Sequence, residues 1–173
     1  EWCVEQHRGL QLPAGTFPII GAAVVLDLKH PHTRRLDRGS GIAACRAATD
    51  DDPKMGAVGV GVGCTVGKEA GREWSSPGGL GWAVERRGSL VVSALMAVNA
   101  LGSVYREDGT LLAGCRASGA EPRYPEVGAK SLLGSGALGN TVIGCVVSNA
   151  RLTKPAACRV ADLAHTGVAR AVS

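Results

Sequence analysis

Aromatic residues are scarce in this sequence, which has three tryptophans, two tyrosines and one phenylalanine among 173 residues. So few rings offer little surface on which nucleic-acid bases could stack, and the net charge of +4 is mild. The basic residues are scattered, apart from a short group at 32–38. We therefore do not expect nucleic acid as a partner. The core must instead be built from Ala, Val, Leu and Ile side chains packed over a glycine-rich backbone of a single domain.

Long apolar runs and closely paired cysteines are missing as well. No stretch has eighteen uninterrupted apolar residues and no signal peptide opens the chain, so we expect neither a membrane span nor export. The six cysteines include no C-x-x-C pair for zinc, and we expect Cys45, Cys145 and Cys158 to be small buried hydrophobes in a reducing cytoplasm. The run Asp50-Asp51-Asp52 is expected to be a solvated loop. Neither a metal nor a cofactor is therefore expected.

The apolar pattern predicts a mixture of strands and helices. The predicted strands are 18–28, 56–63, 90–98, 103–105 and Thr141–Ser148, and a helix is predicted at 40–48 with Ser40 as its cap. A second helix begins at Thr153, tolerates Pro155 in its first turn and carries an apolar stripe that should cover the last strand. The segment 108–139 is predicted to be an exposed linker, and His165 an exposed helix residue outside any site.

The tripeptide Gly139-Asn140-Thr141 precedes the apolar run of the last predicted strand. If the chain were cut between Asn140 and Thr141, Thr141 would carry both a nucleophilic hydroxyl and an α-amine that can accept its proton. Gly139 would ease the strained backbone that such a cut requires. The alternative is that Asn140 and Thr141 simply end a turn and open a buried strand.

The residues around this tripeptide resemble a known family. The stretch GNTVIGCVVSNARLTKPAACRVADLAHTGVARAV (139–172) is similar to the nucleophile region of the DmpA/NylC family (P1 family) of self-cleaving aminopeptidases and amidases. Five upstream blocks resemble those of the family and occur in the same order: FPIIGAAVVLDL (17–28), SGIAACRAA (40–48), VGVGVGCTVGK (58–68), GGLGWA (78–83) and ALMAVNALGSV (94–104). The resemblance thus extends along most of the chain.

The resemblance implies a fold, a reaction and a set of site residues. The implied fold is an α/β four-layer αββα sandwich of the DmpA/ornithine-acetyltransferase type, incomplete here. Self-cleavage at Asn140-Thr141 would divide a single hydrolase domain, 1–173, into an α-subunit-like part, 1–140, and a β-subunit-like part, 141–173. The product would be a homo-oligomeric aminopeptidase, β-peptidyl aminopeptidase or 6-aminohexanoate-oligomer hydrolase, acting on peptides or small amides.

Three residues correspond to the catalytic residues of the family. Thr141 matches the nucleophile, Asn99 an asparagine that would donate to the oxyanion, and Lys68 a lysine that would steady developing charge or lower the pKa of the α-amine. Without the resemblance, Lys68 would be interpreted as a solvated lysine after a strand and Asn99 as a turn residue before Leu101 and Gly102.

The sequence also departs from the family pattern. Position 26 is a leucine where members can carry an aromatic ring, and the acidic segment that follows the last helix in the family does not follow Ser173. Two alternatives therefore stay open beside the hydrolase. One is a truncated, catalytically inactive member acting as a scaffold or precursor, and the other is a relative that transfers acetyl groups from an N-terminal threonine.

Overall fold

The computed structural model of the protein describes residues 1–27, 35–117 and 139–173. Three α-helices are described, α1 (Trp2–Glu5), α2 (Arg38–Ala47) and α3 (Lys154–Ala171). The strands are β1 (Leu10–Leu12), β2 (Gly15–Phe17), β3 (Thr65–Val66), β4 (Ser76–Pro77), β5 (Gly79–Arg87), β6 (Leu90–Asn99), β7 (Val104–Tyr105), β8 (Leu111–Ala113) and β9 (Thr141–Ser148). This content confirms the predicted mixture of helix and sheet.

The described residues form two compact units. The first unit contains 1–24 and 35–52, with α1, the β1–β2 hairpin and α2. Its helix α2 begins with a capping box, in which the Asp37 side chain accepts from the Ser40 backbone while the Ser40 hydroxyl accepts from the Asp37 backbone. The predicted helix is confirmed, but its cap is Asp37 and not Ser40, because Ser40 is the third helical residue.

The second unit contains 25–27 and the described residues from Pro53 onward, and its centre is an antiparallel sheet in the order β5-β6-β9. Strands β5 and β6 are joined through Gly88 and Ser89, since Arg87 pairs with Leu90. Gly88 has φ +58, which suits the first central position of a tight hairpin turn. Strand β9 then pairs with β6 along its length, from Ser148 opposite Val92 to Thr141 opposite Asn99.

This register places the predicted site residues on one face of the sheet. Side chains alternate between faces along a strand, so Asn99 and Thr141 share a face with the cross-strand pair Leu95 and Cys145. That face remains partly open, because Leu95 is 38% exposed and Cys145 is exposed. The expectation that Cys45, Cys145 and Cys158 are buried is wrong, whereas Cys64 is buried with 3% exposure.

The most deeply buried residues gather around the end of β6. The buried apolar residues are Cys64, Val66, Ala97 and Ala100, and the buried polar ones are Lys68, Ser75, Asn99 and Ser103. The apolar side chains in this group are small, as the scarcity of aromatic residues indicated. Small side chains let backbone segments approach closely, and the polar side chains buried among them need partners.

Helix α3 begins as expected but packs differently. Thr153 caps it through a bond from the Ala156 backbone, with Pro155 in the first turn. No residue of α3 is buried, and Leu163 in its apolar stripe is 51% exposed, so the helix does not cover β9 along its length. The residue that follows the helix, Val172, forms a bridge with Val104 of β7. His165 is exposed, as predicted.

Two predicted strands are wrong. Residues 18–27 form no strand, and within them Ile19 is 84% exposed, because no neighbouring strand pairs with this apolar run. The alternating glycines at 56–63 form one isolated bridge at Gly56 and a 3₁₀ turn at Gly59–Gly61, since glycine weakens a strand. The predicted linker 108–139 contains β8, and its residues 118–138 lie outside the described part of the chain. Within the described ranges, no helix combines the length and apolarity that crossing a bilayer requires.

Two glycines around β5 give a test of the close packing. An added Cβ at Gly78 would collide with the Val98 carbonyl oxygen, whereas at Gly81 it would meet nothing within 4 Å. We expect Gly78→Ala to lower the free energy of unfolding by about 1–3 kcal/mol through overpacking. Gly81→Ala is the matched control and should leave it nearly unchanged. Urea unfolding followed by circular dichroism measures both, and equal effects would contradict the packing.

Candidate active site

The backbone around Lys68 is fixed against the turn that follows β6. The Gly67 amide donates to the Gly102 carbonyl at 2.8 Å and the Lys68 amide to the Leu101 carbonyl at 2.7 Å. Gly67 has φ +68, and a side chain there would collide with the backbone of Gly114 and Cys115. Only glycine suits both constraints. Glycine at position 67 therefore lets the backbone place Lys68 beside the end of β6.

The Lys68 ammonium group joins two parts of the chain that are distant in sequence. Its Nζ lies 2.8 Å from Asn99 Oδ1 and 3.1 Å from the Asn99 carbonyl oxygen. The same atom lies 3.0 Å from Asn140 Oδ1 and 3.4 Å from the Gly139 carbonyl oxygen. Lys68 is 6% exposed, so the interpretation as a solvated lysine is wrong. A buried ammonium needs such acceptors to offset its lost hydration.

Asn99 is 2% exposed and is the last residue of β6, not a turn residue. Its Oδ1 accepts from Lys68 Nζ and from the Thr65 backbone amide at 3.0 Å, which leaves its Nδ2 to act as donor on the other side. Nδ2 donates to the Gly139 carbonyl at 2.7 Å. This carbonyl is one residue before the predicted scissile one, so donation by Asn99 to the oxyanion stays a prediction.

Thr141 begins β9 directly opposite Asn99. The structure therefore brings Lys68, Asn99, Asn140 and Thr141 to one end of the sheet, although 31 residues separate Lys68 from Asn99. Antiparallel pairing of β6 with β9 sets this end, because it places the first residue of one strand beside the last residue of the other. All the predicted site residues thus lie in one neighbourhood.

Burial and a second cation alter the acidity of Lys68. Loss of hydration, and then the positive charge of Arg72, lower the pKa of the Lys68 ammonium from 10.5 to about 8. Amines whose pKa lies near the working pH are typical of functional sites. Lys68 is consequently a group whose charge changes within a mildly alkaline range.

Arg72 lies beside the candidate site, and the sequence interpretation missed it. Its guanidinium group lies against Gly139, where any side chain would collide with Nη2. Arg72 begins a 3₁₀ turn, Arg72–Trp74. The Ser75 hydroxyl donates to the Arg72 carbonyl at 2.6 Å, and Arg116 Nε donates to the Ser75 carbonyl at 2.8 Å, so the backbone of this turn is held in place. Its position four residues after Lys68 was the sequence signal available for a second cation.

Comparison with known proteins decides the family, because the profile of peptidase family S58 matches residues 1–173. The chain belongs to peptidase family S58. Relatives in this family include proteins of Mycobacterium tuberculosis and Mycobacterium bovis, each named an uncharacterized aminopeptidase and each 35% identical over 184 residues. The alignment covers 99% of this chain and 51% of theirs.

A third S58 relative, from Mycobacterium leprae, is also named an uncharacterized aminopeptidase and is 32% identical over 195 residues. That alignment covers 99% of this chain and 49% of the relative. The chain thus spans about half the length of the curated relatives that it matches. The resemblance found in the sequence is confirmed at the level of the family.

Within the described residues of this S58 chain, no three His, Cys, Asp or Glu side chains are grouped so that they could hold a metal ion. The acidic run Asp50-Asp51-Asp52 is exposed, in agreement with a solvated loop.

The lowered pKa of Lys68 predicts a pH dependence of stability. Between about pH 8 and 10.5 the unfolded chain binds more protons at this lysine than the folded protein does. The contribution of Lys68 to stability should therefore rise with pH across this window. We expect the melting temperature of the parent, relative to Lys68→Met, to increase over the window.

Lys154 is exposed, so Lys154→Met is the control for the loss of a lysine elsewhere. Differential scanning calorimetry at several pH values gives the melting temperatures of the parent and of the two variants. A difference in melting temperature between the parent and Lys68→Met that stays constant from about pH 7 to 10.5 would contradict the lowered pKa of Lys68.

Proposed function

We propose that the protein is an N-terminal-nucleophile amide hydrolase that activates itself by cutting the Asn140-Thr141 bond. The contact set of Lys68 is the observation that carries this proposal. Its ammonium and the Asn99 amide together hold Gly139 and Asn140, the residues on the acyl side of the proposed cut, and Thr141 stands opposite Asn99 in the sheet. Membership of a peptidase family supports the same chemistry.

The first stage is the cut itself. The Thr141 hydroxyl attacks the Asn140 carbonyl carbon and its proton passes to the Thr141 nitrogen. The C–N bond then breaks, which frees the α-amine of Thr141 and leaves the acyl group on the threonine oxygen as an ester. Water hydrolyses this ester to a carboxylate on Asn140 and restores the Thr141 hydroxyl. Holding the acyl segment in place lowers the activation free energy of the cut substantially, because the reacting groups are already positioned. Asn99 and Lys68 supply that restraint through their bonds to Gly139 and Asn140.

The second stage is turnover of external amides. The Thr141 amine now takes the proton of its own hydroxyl, which attacks a substrate carbonyl. A positive charge on Lys68 nearby lowers the pKa of this amine by like-charge repulsion and keeps it in the neutral, basic form. The ordinary pKa of an α-amine is about 7.7–8.0, so a small shift is sufficient at neutral pH.

The class of substrate is part of the proposal. Relatives named uncharacterized aminopeptidases support hydrolysis of N-terminal amino-acid amides. The resemblance to the DmpA/NylC family adds β-peptides and 6-aminohexanoate oligomers as related substrates. We propose that the fold is the four-layer αββα sandwich, assembled as a homo-oligomer whose two parts, 1–140 and 141–173, remain associated after the cut. An inactive scaffold is less favoured, because the chain belongs to a peptidase family and keeps Lys68, Asn99 and Thr141 together at the proposed cut.

Intact mass under denaturing conditions tests the self-cleavage. We expect the parent to give fragments that end at Asn140 and begin at Thr141, because Thr141 supplies the attacking oxygen. Thr141→Ala should stay whole, and Thr141→Ser should still be cut because it keeps a hydroxyl. A folded, uncut parent would refute the proposal. Assays of amide hydrolysis and of acyl transfer from an acetyl donor then separate the hydrolase from the acetyl-transferring alternative.

The role of Asn99 has a matched control at the other end of the sheet. Asn149 makes a similar pair of bonds, since its Oδ1 accepts from the Val91 amide at 2.9 Å and its Nδ2 donates to the Ser89 carbonyl at 2.7 Å. We expect Asn99→Ala to slow the cut by about 10²-fold, the usual effect of removing one donor from such a site. Asn149→Ala should cut at the parental rate. Similar slowing in both variants would show that Asn99 acts only through folding.

A further inference from the structure

The acyl side of the proposed cut lies among positively charged and hydrogen-bond-donating groups. Lys68 Nζ reaches Asn140 Oδ1 at 3.0 Å, Asn99 Nδ2 reaches the Gly139 carbonyl at 2.7 Å, and the Arg72 guanidinium lies against Gly139. Two of these three groups are cations. The surroundings of this segment therefore favour oxygen atoms and negative charge over an ammonium group.

The side chain of Asn140 shows what this position accepts. It is short, and its Oδ1 accepts from an ammonium group. An aspartate has nearly the same shape, so its carboxylate oxygen would occupy the same place and form a charge-assisted bond, which is stronger than one to a neutral amide. The uncut chain thus carries, in its own acyl position, a neutral analogue of an aspartyl residue.

Arg72 supplies the second positive charge from an accessible position. It is exposed, although the turn that carries it is held by Ser75 and Arg116. Within the described ranges, the ion pairs are Arg38–Glu1, Arg87–Glu85 and Arg170–Glu107, so Arg72 is not paired with any described carboxylate. An arginine held in this way presents its fork of donors to a carboxylate.

We propose that the acyl position beside Lys68 and Arg72 prefers amides of an N-terminal aspartyl residue and that Arg72 is the residue that determines this preference. The inference rests on the proposed function, because a substrate enters the acyl position only when the cut has freed it from Gly139 and Asn140. The α-ammonium group of a substrate is repelled by Lys68 and Arg72, and a side-chain carboxylate offsets that repulsion. Neutral or basic N-terminal residues lack this compensation.

The first test compares aspartyl, asparaginyl, leucyl and lysyl p-nitroanilides with the cleaved protein. We expect the highest kcat/KM for the aspartyl substrate. Arg72→Gln should lower the ratio of aspartyl to asparaginyl kcat/KM by about two- to fivefold, the size expected for an exposed ion pair, and mainly through KM. Arg72→Lys should retain part of the ratio. Arg87→Gln removes the same charge at the far end of β5 and should leave the ratio at the parental value.

The second test needs no turnover. In the uncut Thr141→Ala background, Asn140→Asp should raise the melting temperature, and the gain should be smaller when Arg72→Gln is also present. Arg87→Gln in place of Arg72→Gln should leave the gain intact. Equal gains with and without Arg72 would overturn the role assigned to this arginine.

The outcomes separate the two proposals. A protein that cuts itself and hydrolyses leucyl amides as well as aspartyl ones overturns the substrate preference and leaves the hydrolase intact. A folded protein that neither cuts itself nor hydrolyses any of the amides overturns the proposed function and the preference together. A self-cleaving protein with an aspartyl preference that Arg72→Gln reduces supports both.

Discussion

The buried ammonium group of Lys68 is the constraint on which the arrangement of the site depends. Removing a lysine from water is costly, and here the cost is offset by acceptors from Asn99, Gly139 and Asn140. These acceptors belong to the end of β6 and to the segment that leads into β9. Because both segments bind the same cation, they are held together. The Thr65 backbone amide donates a further hydrogen bond to Asn99 Oδ1.

Small residues make this close arrangement possible. Gly67 and Gly78 lie where a side chain would collide with the backbone of Gly114 and with the carbonyl of Val98. The buried apolar residues near them, among those described, are small: Cys64, Val66, Ala97 and Ala100. Backbone segments can therefore approach one another closely here. A core of large aromatic side chains would separate these segments. The scarcity of aromatic residues and the geometry of the site are therefore parts of one structural solution.

The charges of the site have more than one consequence. Burial, and then the positive charge of Arg72, lower the pKa of Lys68 and make its ionisation sensitive to nearby changes. A cut before Thr141 would place a new carboxylate and a new amine beside these cations, so the electrostatic environment before the cut differs from that after it. The same positive surroundings that orient the uncut segment would then act on the acyl part of an incoming substrate.

The sequence by itself determined the family, the strands 90–98 and Thr141–Ser148, and the helix capped by Thr153, because apolar periodicity and capping are local properties. Through resemblance it also predicted Lys68, Asn99, Asn140 and Thr141 as site residues. It failed where tertiary contacts decide: apolar residues 18–27 find no strand partner, and most of α3 stays exposed. Only the tertiary structure brought Arg72 against Gly139 and directed the Asn99 amide to the Gly139 carbonyl. Such contacts depend on strand register and on the close approach of segments distant in sequence, and local patterns do not encode either one.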